Sequence, residues 1–149
     1  MKLSTKGRYG LRAMIDIGMF STEEKVSIKS IAERQHISEN YLEQLIALLK
    51  KAKLVTSSRG ARGGYSLSRA SDKISLGEIL RALEGDLNPV DCVTNNKDNV
   101  CEDSDSCATK FVWKKISDSI NEVVNNITLK DLVDEQFEID HLTQEAHIG

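Results

Sequence analysis

Apolar residues recur at helical spacing from the start of the chain. In TKGRYGLRAMIDIGMF (5–20), Leu11, Met14, Ile15 and Met19 approximate one face, which predicts a first helix. The polar TEEK breaks it. Ile28, Ile31 and Ala32 then mark a short second helix in SIKSIAERQH. After a tight link, Ser38 is placed as the N-cap of a third helix, ENYLEQLIALLKKAK. There Leu42, Leu45, Ile46 and Leu49 make an i, i+3, i+4, i+7 stripe, and Glu39, Asn40, Glu43, Ala47 and Lys50 are left facing outward.

The period then changes. LVTSSRGARGGYSLSR reads as strand, glycine turn, strand, with Tyr65 and Leu67 alternating on the way out. SLGEILRALEG is a further helix ending at Gly85. A polar run from Pro89 to Asp105 is too long for a simple connection. A long helix follows from Ala108 to about Asn125, with Val112, Ile116, Ile120 and Val123 on one stripe. That stripe is too apolar for a lone exposed helix. NITLKDLVDE predicts a short terminal helix capped by Thr128, and the acidic tail from Phe137, which holds His141 and His147, is a candidate for disorder.

Two short helices with a tight link and a polar face on the second predict a helix-turn-helix. A basic hairpin directly after it is a wing. The predicted fold is mainly α: a winged helix-turn-helix with a two-stranded β wing and a long C-terminal helix. Its parts are a DNA-binding region over 1–85, a cysteine-bearing loop over 86–107, the long and terminal helices over 108–136, and the tail over 137–149. With no signal-peptide run and no stretch of eighteen apolar residues, the expected location is cytoplasmic, away from membranes.

Charge sharpens this picture. Residues 1–85 hold 15 Lys+Arg against 9 Asp+Glu, whereas residues 86–149 hold 5 against 14. Only the first part suits a polyanion. A recognition helix presents its N-terminal residues to base edges in the major groove. Here these are Ser38, Glu39, Asn40, Tyr41, Glu43 and Gln44. Gln44 has the chemistry to pair with adenine, and Glu43 to accept from a cytosine amino group. Lys50, Lys51 and Lys53 suit the phosphate backbone, and Arg59 and Arg62 on the wing suit a narrow minor groove.

All three cysteines fall in CVTNNKDNVCEDSDSC, residues 92–107, at spacing C-x8-C-x5-C. Zinc ribbons want C-x2-C knuckles, and redox pairs want C-x-x-C. Thiol catalysis lacks a nearby histidine, and Glu102, Asp103 and Asp105 would raise a free thiol's pKa. No catalytic base or substrate pocket is visible, so an enzyme is not expected. A metal reverses the logic, because its charge deprotonates coordinating thiols. Three thiolates on one loop are a candidate iron–sulfur site with one open or unusual ligand.

MKLSTKGRYGLRAM, SIAERQHISENYLEQL, LVTSSRGARGGYSLSR, GEILRALEG and NITLKDL closely resemble the winged-helix repressors that sense iron–sulfur status, whose relatives sense nitric oxide or cysteine supply. The likeness runs from residue 1 to about 135. It implies a homodimer on a double-stranded DNA operator, with the helix after Ala108 as the dimerisation helix. It also implies a [2Fe–2S] cluster on Cys92, Cys101 and Cys107, supplied by the iron–sulfur assembly machinery, and control of cluster-assembly genes. The chain departs from the best-known regulator in its longer first inter-cysteine gap. It also carries Lys110 where that regulator has a histidine ligand, and Arg8 where a nitric-oxide-sensing relative borrows an aspartate from its partner chain. The fourth ligand is therefore not transferred. Asp91, Glu102, Asp103, Asp105, a tail histidine, or a solvent or thiol molecule are its candidates. The rival readings are a cluster-free repressor of cysteine metabolism in the same family and a zinc-binding structural module.

Overall fold

The computed structural model describes residues 3–90 and 108–148. Helix α1 spans Thr5–Phe20. Its buried ridge is not the one that hydrophobicity predicts. Gly7, Gly10, Ala13, Met14 and Ile17 face inward, while Leu11, Ile15 and Met19 are half-buried on the flanks. The small residues let neighbouring helices approach closely, a contribution that hydrophobic periodicity does not register. Helix α2 (Ile28–Gln35) starts at Ser27, whose side chain accepts from the Ser30 amide, and stops at His36, which adopts a left-handed conformation at φ 55°.

Helix α3 (Glu39–Lys51) begins as expected at Ser38, whose Oγ accepts from the Tyr41 amide at 3.2 Å. Leu42, Leu45, Ile46 and Leu49 are essentially inaccessible to solvent. Each such side chain contributes about 1.5–3 kcal/mol by leaving water, so this stripe fixes which face of α3 remains outside.

Strands β1 (Val55–Ser58) and β2 (Gly64–Leu67) pair antiparallel, Val55 opposite Leu67 and Ser58 opposite Gly64. The turn between them closes with the Gly63 amide on the Gly60 carbonyl at 2.9 Å, and Gly60 sits at φ 104°, where a side chain would be strained. Val26 flanks the outer edge of β2, exchanging both backbone hydrogen bonds with Tyr65 at 2.9 and 2.7 Å. The link between α1 and α2 thus braces the wing.

Helix α4 (Leu76–Glu84) opens with a capping box between Ser75 and Glu78 and packs on α1, α3 and α5. Helix α5 spans Ala108–Asn126. Arg81 on α4 donates to Asn121 at 2.6 Å and Asn125 at 2.9 Å on α5, and Ser117 donates to Asn88 just after α4. Helix α6 starts after Thr128, which exchanges capping hydrogen bonds with Asp131, but it does not end near Glu135. It continues to Ile148, through the segment expected to be a disordered tail. Side-chain contacts at i, i+4, including Lys130–Asp134, Gln136–Asp140 and His141–Glu145, sustain it where burial does not.

The main core gathers Met14, Ile17, Leu42, Leu45, Leu49 and Ile79, among others, from α1, α3 and α4. Leu80, Leu87 and Val124 form a second cluster between α4 and α5.

Candidate nucleic-acid interface

Burial of the α3 stripe leaves Ser38, Glu39, Asn40, Glu43, Gln44 and Lys50 exposed on the opposite side, as expected of a reading face. Lys51 at the end of α3 and Lys53 just beyond it are exposed as well, and Arg59 and Arg62 are exposed at the wing tip. Tyr41 differs from the others. It is half-buried: its ring meets Tyr9 edge-on at 6.2 Å, and its hydroxyl donates to Thr5 Oγ1 at 3.1 Å. The structure places it in the joint between α1 and α3.

Arg69 follows β2, on the far side of the strand from the wing tip. Its guanidinium donates to the Lys73 carbonyl at 2.6 Å and pairs with Glu78 at 2.8 Å, tying the wing's exit to the start of α4. The Arg69 hydrogen bond, aided by the Ser75 backbone amide, holds the Glu78 carboxyl below its ordinary value.

Behind the reading face lies a polar weld that the sequence does not announce. Asp16 is fully buried in α1. Arg34 grips it in a fork at 2.9 and 2.7 Å, and the Gln35 side-chain amide adds a third hydrogen bond at 2.9 Å. The hydrogen bonds to Asp16 raise the Arg34 pKa above its usual value, outweighing the opposing effect of burial. The same guanidinium stacks 4.2 Å over Phe20. Arg12 donates to both the side chain and the carbonyl of Gln35. Every buried acceptor of Asp16 is thus satisfied, and the orientation of α2 on α1 is fixed. The missed signal was an acid at the buried phase of α1, four residues before Phe20 and eighteen before Arg34.

On α5, Val112, Ile116 and Val123 are exposed at 46, 39 and 57%, and Phe111 joins them at 64%. Ile120 turns away from this set and packs on the Leu80–Leu87–Val124 cluster. Among the described residues, the helix therefore has one face packed on α4 and an apolar face left exposed. Cys92, Cys101 and Cys107 fall outside the described residues, as do Asp91, Glu102, Asp103 and Asp105. Among the described residues, no group of three His, Cys, Asp or Glu side chains is placed to hold a metal ion, and no helix is long and apolar enough to cross a membrane.

A helix-turn-helix with an exposed polar recognition face, followed by a basic two-stranded wing, defines a DNA-binding protein of the winged-helix class. The chain belongs to the Rrf2 family, described as iron-dependent transcriptional regulators, whose profile matches residues 3–135. It is 46% identical over 132 residues to the HTH-type transcriptional regulator CymR of Bacillus subtilis, a match covering 89% of each chain. Its fold is similar to the structure of CymR (YrzC), described as the global cysteine regulator of B. subtilis, with a TM-score of 0.75 at 41% identity over 91% of this chain and 98% of that one. It is also similar to the structure of IscR of T. potens, with a TM-score of 0.72 at 46% identity over 91% of this chain and 88% of that one. The protein is thus a DNA-binding transcriptional regulator with the fold expected from its sequence.

Proposed function

We propose that this regulator acts as a homodimer whose DNA binding responds to a [2Fe–2S] cluster held by Cys92, Cys101 and Cys107, and that it governs genes of iron–sulfur cluster assembly. The observation that carries this reading is the gathering of all three thiols into sixteen residues directly before α5. As a donor set, three thiolates fit an iron centre that takes one further ligand of another kind. The cluster would supply a removable, redox-active crosslink of the loop, drawn from the cell's iron–sulfur assembly machinery.

The chain's own residues supply the rest. Val112, Ile116, Val123 and Phe111 form the apolar face by which two α5 helices would meet. Ser38, Glu39, Asn40, Glu43 and Gln44 read base edges, with Tyr41 seating the helix that carries them. Lys50, Arg59 and Arg62 meet the sugar–phosphate chain and the minor groove. The loop joins α4, which packs on α1 and α3, to α5. A cluster held there would act on DNA only by favouring one spacing of the two recognition helices over another.

A second reading is a cluster-free regulator of cysteine metabolism, favoured by the likeness to CymR. Anaerobic purification with iron and sulfide analysis and an absorption spectrum separates the two. The cluster reading expects iron and sulfide in equal amounts, close to two of each per protomer, and a reddish-brown protein. A colourless protein that takes up neither under reconstitution supports the second reading, and bound zinc alone supports a structural metal module.

A further inference from the structure

Helix α1 begins without a cap of its own. Ser4 stands at the N-cap position, yet its side chain makes no capping bond to the helix. Its hydroxyl instead donates to Glu84 Oε1, at the far end of α4, at 2.5 Å. The same oxygen accepts from the Ser4 amide at 3.0 Å and from the Gly7 amide at 2.9 Å. In an ordinary capping box these two amides are satisfied by the residues at the N-cap and three positions on. Here a single carboxylate, 80 positions away in sequence, serves both. Its negative charge also complements the positive end of the helix.

Gly7 occupies the position where a capping box carries its own Glu or Gln. A Cβ there would lie 2.3 Å from Glu84 Oε1, so a side chain would evict the carboxylate. One turn on, a Cβ at Gly10 would lie 2.5 Å from the Leu83 methyls. The end of α4 is therefore seated in a notch of α1 cut by two glycines.

The turn held in this way touches the recognition helix. Thr5 accepts from the Tyr41 hydroxyl, and Tyr9 meets the Tyr41 ring. Tyr41 is also the residue whose amide is capped by Ser38. Glu84 thus holds the first turn of α1, which holds the first turn of α3, where base reading takes place in the docking proposed above.

We propose that Glu84 is a positioning residue for DNA reading: by capping α1 from α4, it sets the N-terminus of the recognition helix against the rest of the molecule. Glu84 touches no base in this arrangement, so its loss should cost selectivity and leave the sequence-blind phosphate attraction in place. This inference rests on the α3 docking, and the test separates the two.

The probe is the duplex that wild-type protein enriches from a randomised library, measured against a scrambled duplex of equal length. Glu84→Ala should lower the ratio of the two affinities about tenfold, the size of one misread base pair, with an unchanged salt slope. Glu84→Gln keeps an acceptor oxygen and should stay within about twofold of wild type. Gly7→Ala should match Glu84→Ala, because it displaces the same carboxylate. Adding Gly7→Ala to Glu84→Ala should cost nothing further and should raise the melting temperature, since alanine suits a helix better than glycine. Should Glu84→Ala not fold, Thr5→Val, which removes only the acceptor of the Tyr41 bond, should lower the ratio in the same direction. An unchanged ratio in folded Glu84→Ala overturns the proposal, as does an equal loss on both duplexes or additive losses in the double variant. Lys50→Ala and Arg59→Ala, run alongside, report on the docking: if both bind like wild type, the docking falls and this inference with it.

Discussion

At the scale of single residues, the reading face divides into side chains that are free and side chains that hold. Lys50 and Arg59 are exposed and paired with the polyanion only in the docking proposed here. Lys50→Ala should weaken binding to every sequence and reduce the salt slope by about one. Arg59→Ala should in addition alter preference at AT-rich positions. Titrations at several salt concentrations check both, and wild-type behaviour in both variants would place the DNA elsewhere. Glu78 is a residue that holds. Its carboxyl is kept below its ordinary value, so its contribution is complete above the usual carboxylate range and is lost as pH falls through the folded value. Glu78→Gln should therefore melt below wild type at pH 7, and the gap should close on acidification. A gap that persists into acid would show that charge is not what Glu78 contributes.

At the scale of elements, α1 acts as the beam on which α2, α3 and α4 are set. Asp16→Ala would leave Arg34 and Gln35 without their shared acceptor. Because Arg34 is a third exposed, the expected loss is about 3 kcal/mol, at the low end for a broken buried pair. Chemical denaturation measures it, and a loss below 1 kcal/mol would mean that water replaces the carboxylate freely. Helix α5 carries the other test. Ile116→Glu places charge in the exposed apolar face without touching the α4 packing and should yield monomer by light scattering, with loss of tight binding to a two-half-site operator. Ile120→Glu is the poorer probe, because Ile120 packs within the protomer. An Ile116→Glu protein that remains dimeric would move the interface off this helix.

At the scale of the whole molecule, charge and chemistry are segregated. The basic half carries the reading head, and the acidic half carries the thiols and α5. Substituting Cys92, Cys101 or Cys107 singly with Ala should remove most bound iron, while Lys110→Ala should not. The acidic neighbours should lower the potential of a bound cluster by adding negative charge beside its thiolates. Iron analysis after anaerobic reconstitution checks the first expectation, and a triple-alanine variant that still assembles a wild-type cluster would defeat it.

Much of this protein is determined by local pattern. Periodicity places α1, α3 and the two wing strands, Ser38 and Thr128 mark helix starts, and Gly85 marks a stop, because caps and periods are decided within a few residues. The exposed face of α3 follows from its buried stripe, and so does the list of candidate base readers. Other features needed the tertiary structure. Gly7 and Gly10 form a notch only because Glu84 and Leu83 lie opposite them, and Asp16 is a weld only because Arg34 comes back to it. Ile120 separates from its own stripe because α4 covers one side of α5 and nothing among the described residues covers the other. The terminal helix outruns its hydrophobic signal because i, i+4 contacts sustain it after burial ends. A sequence encodes these contacts in residues tens of positions apart, and only the folded chain brings the two halves of each within bonding distance.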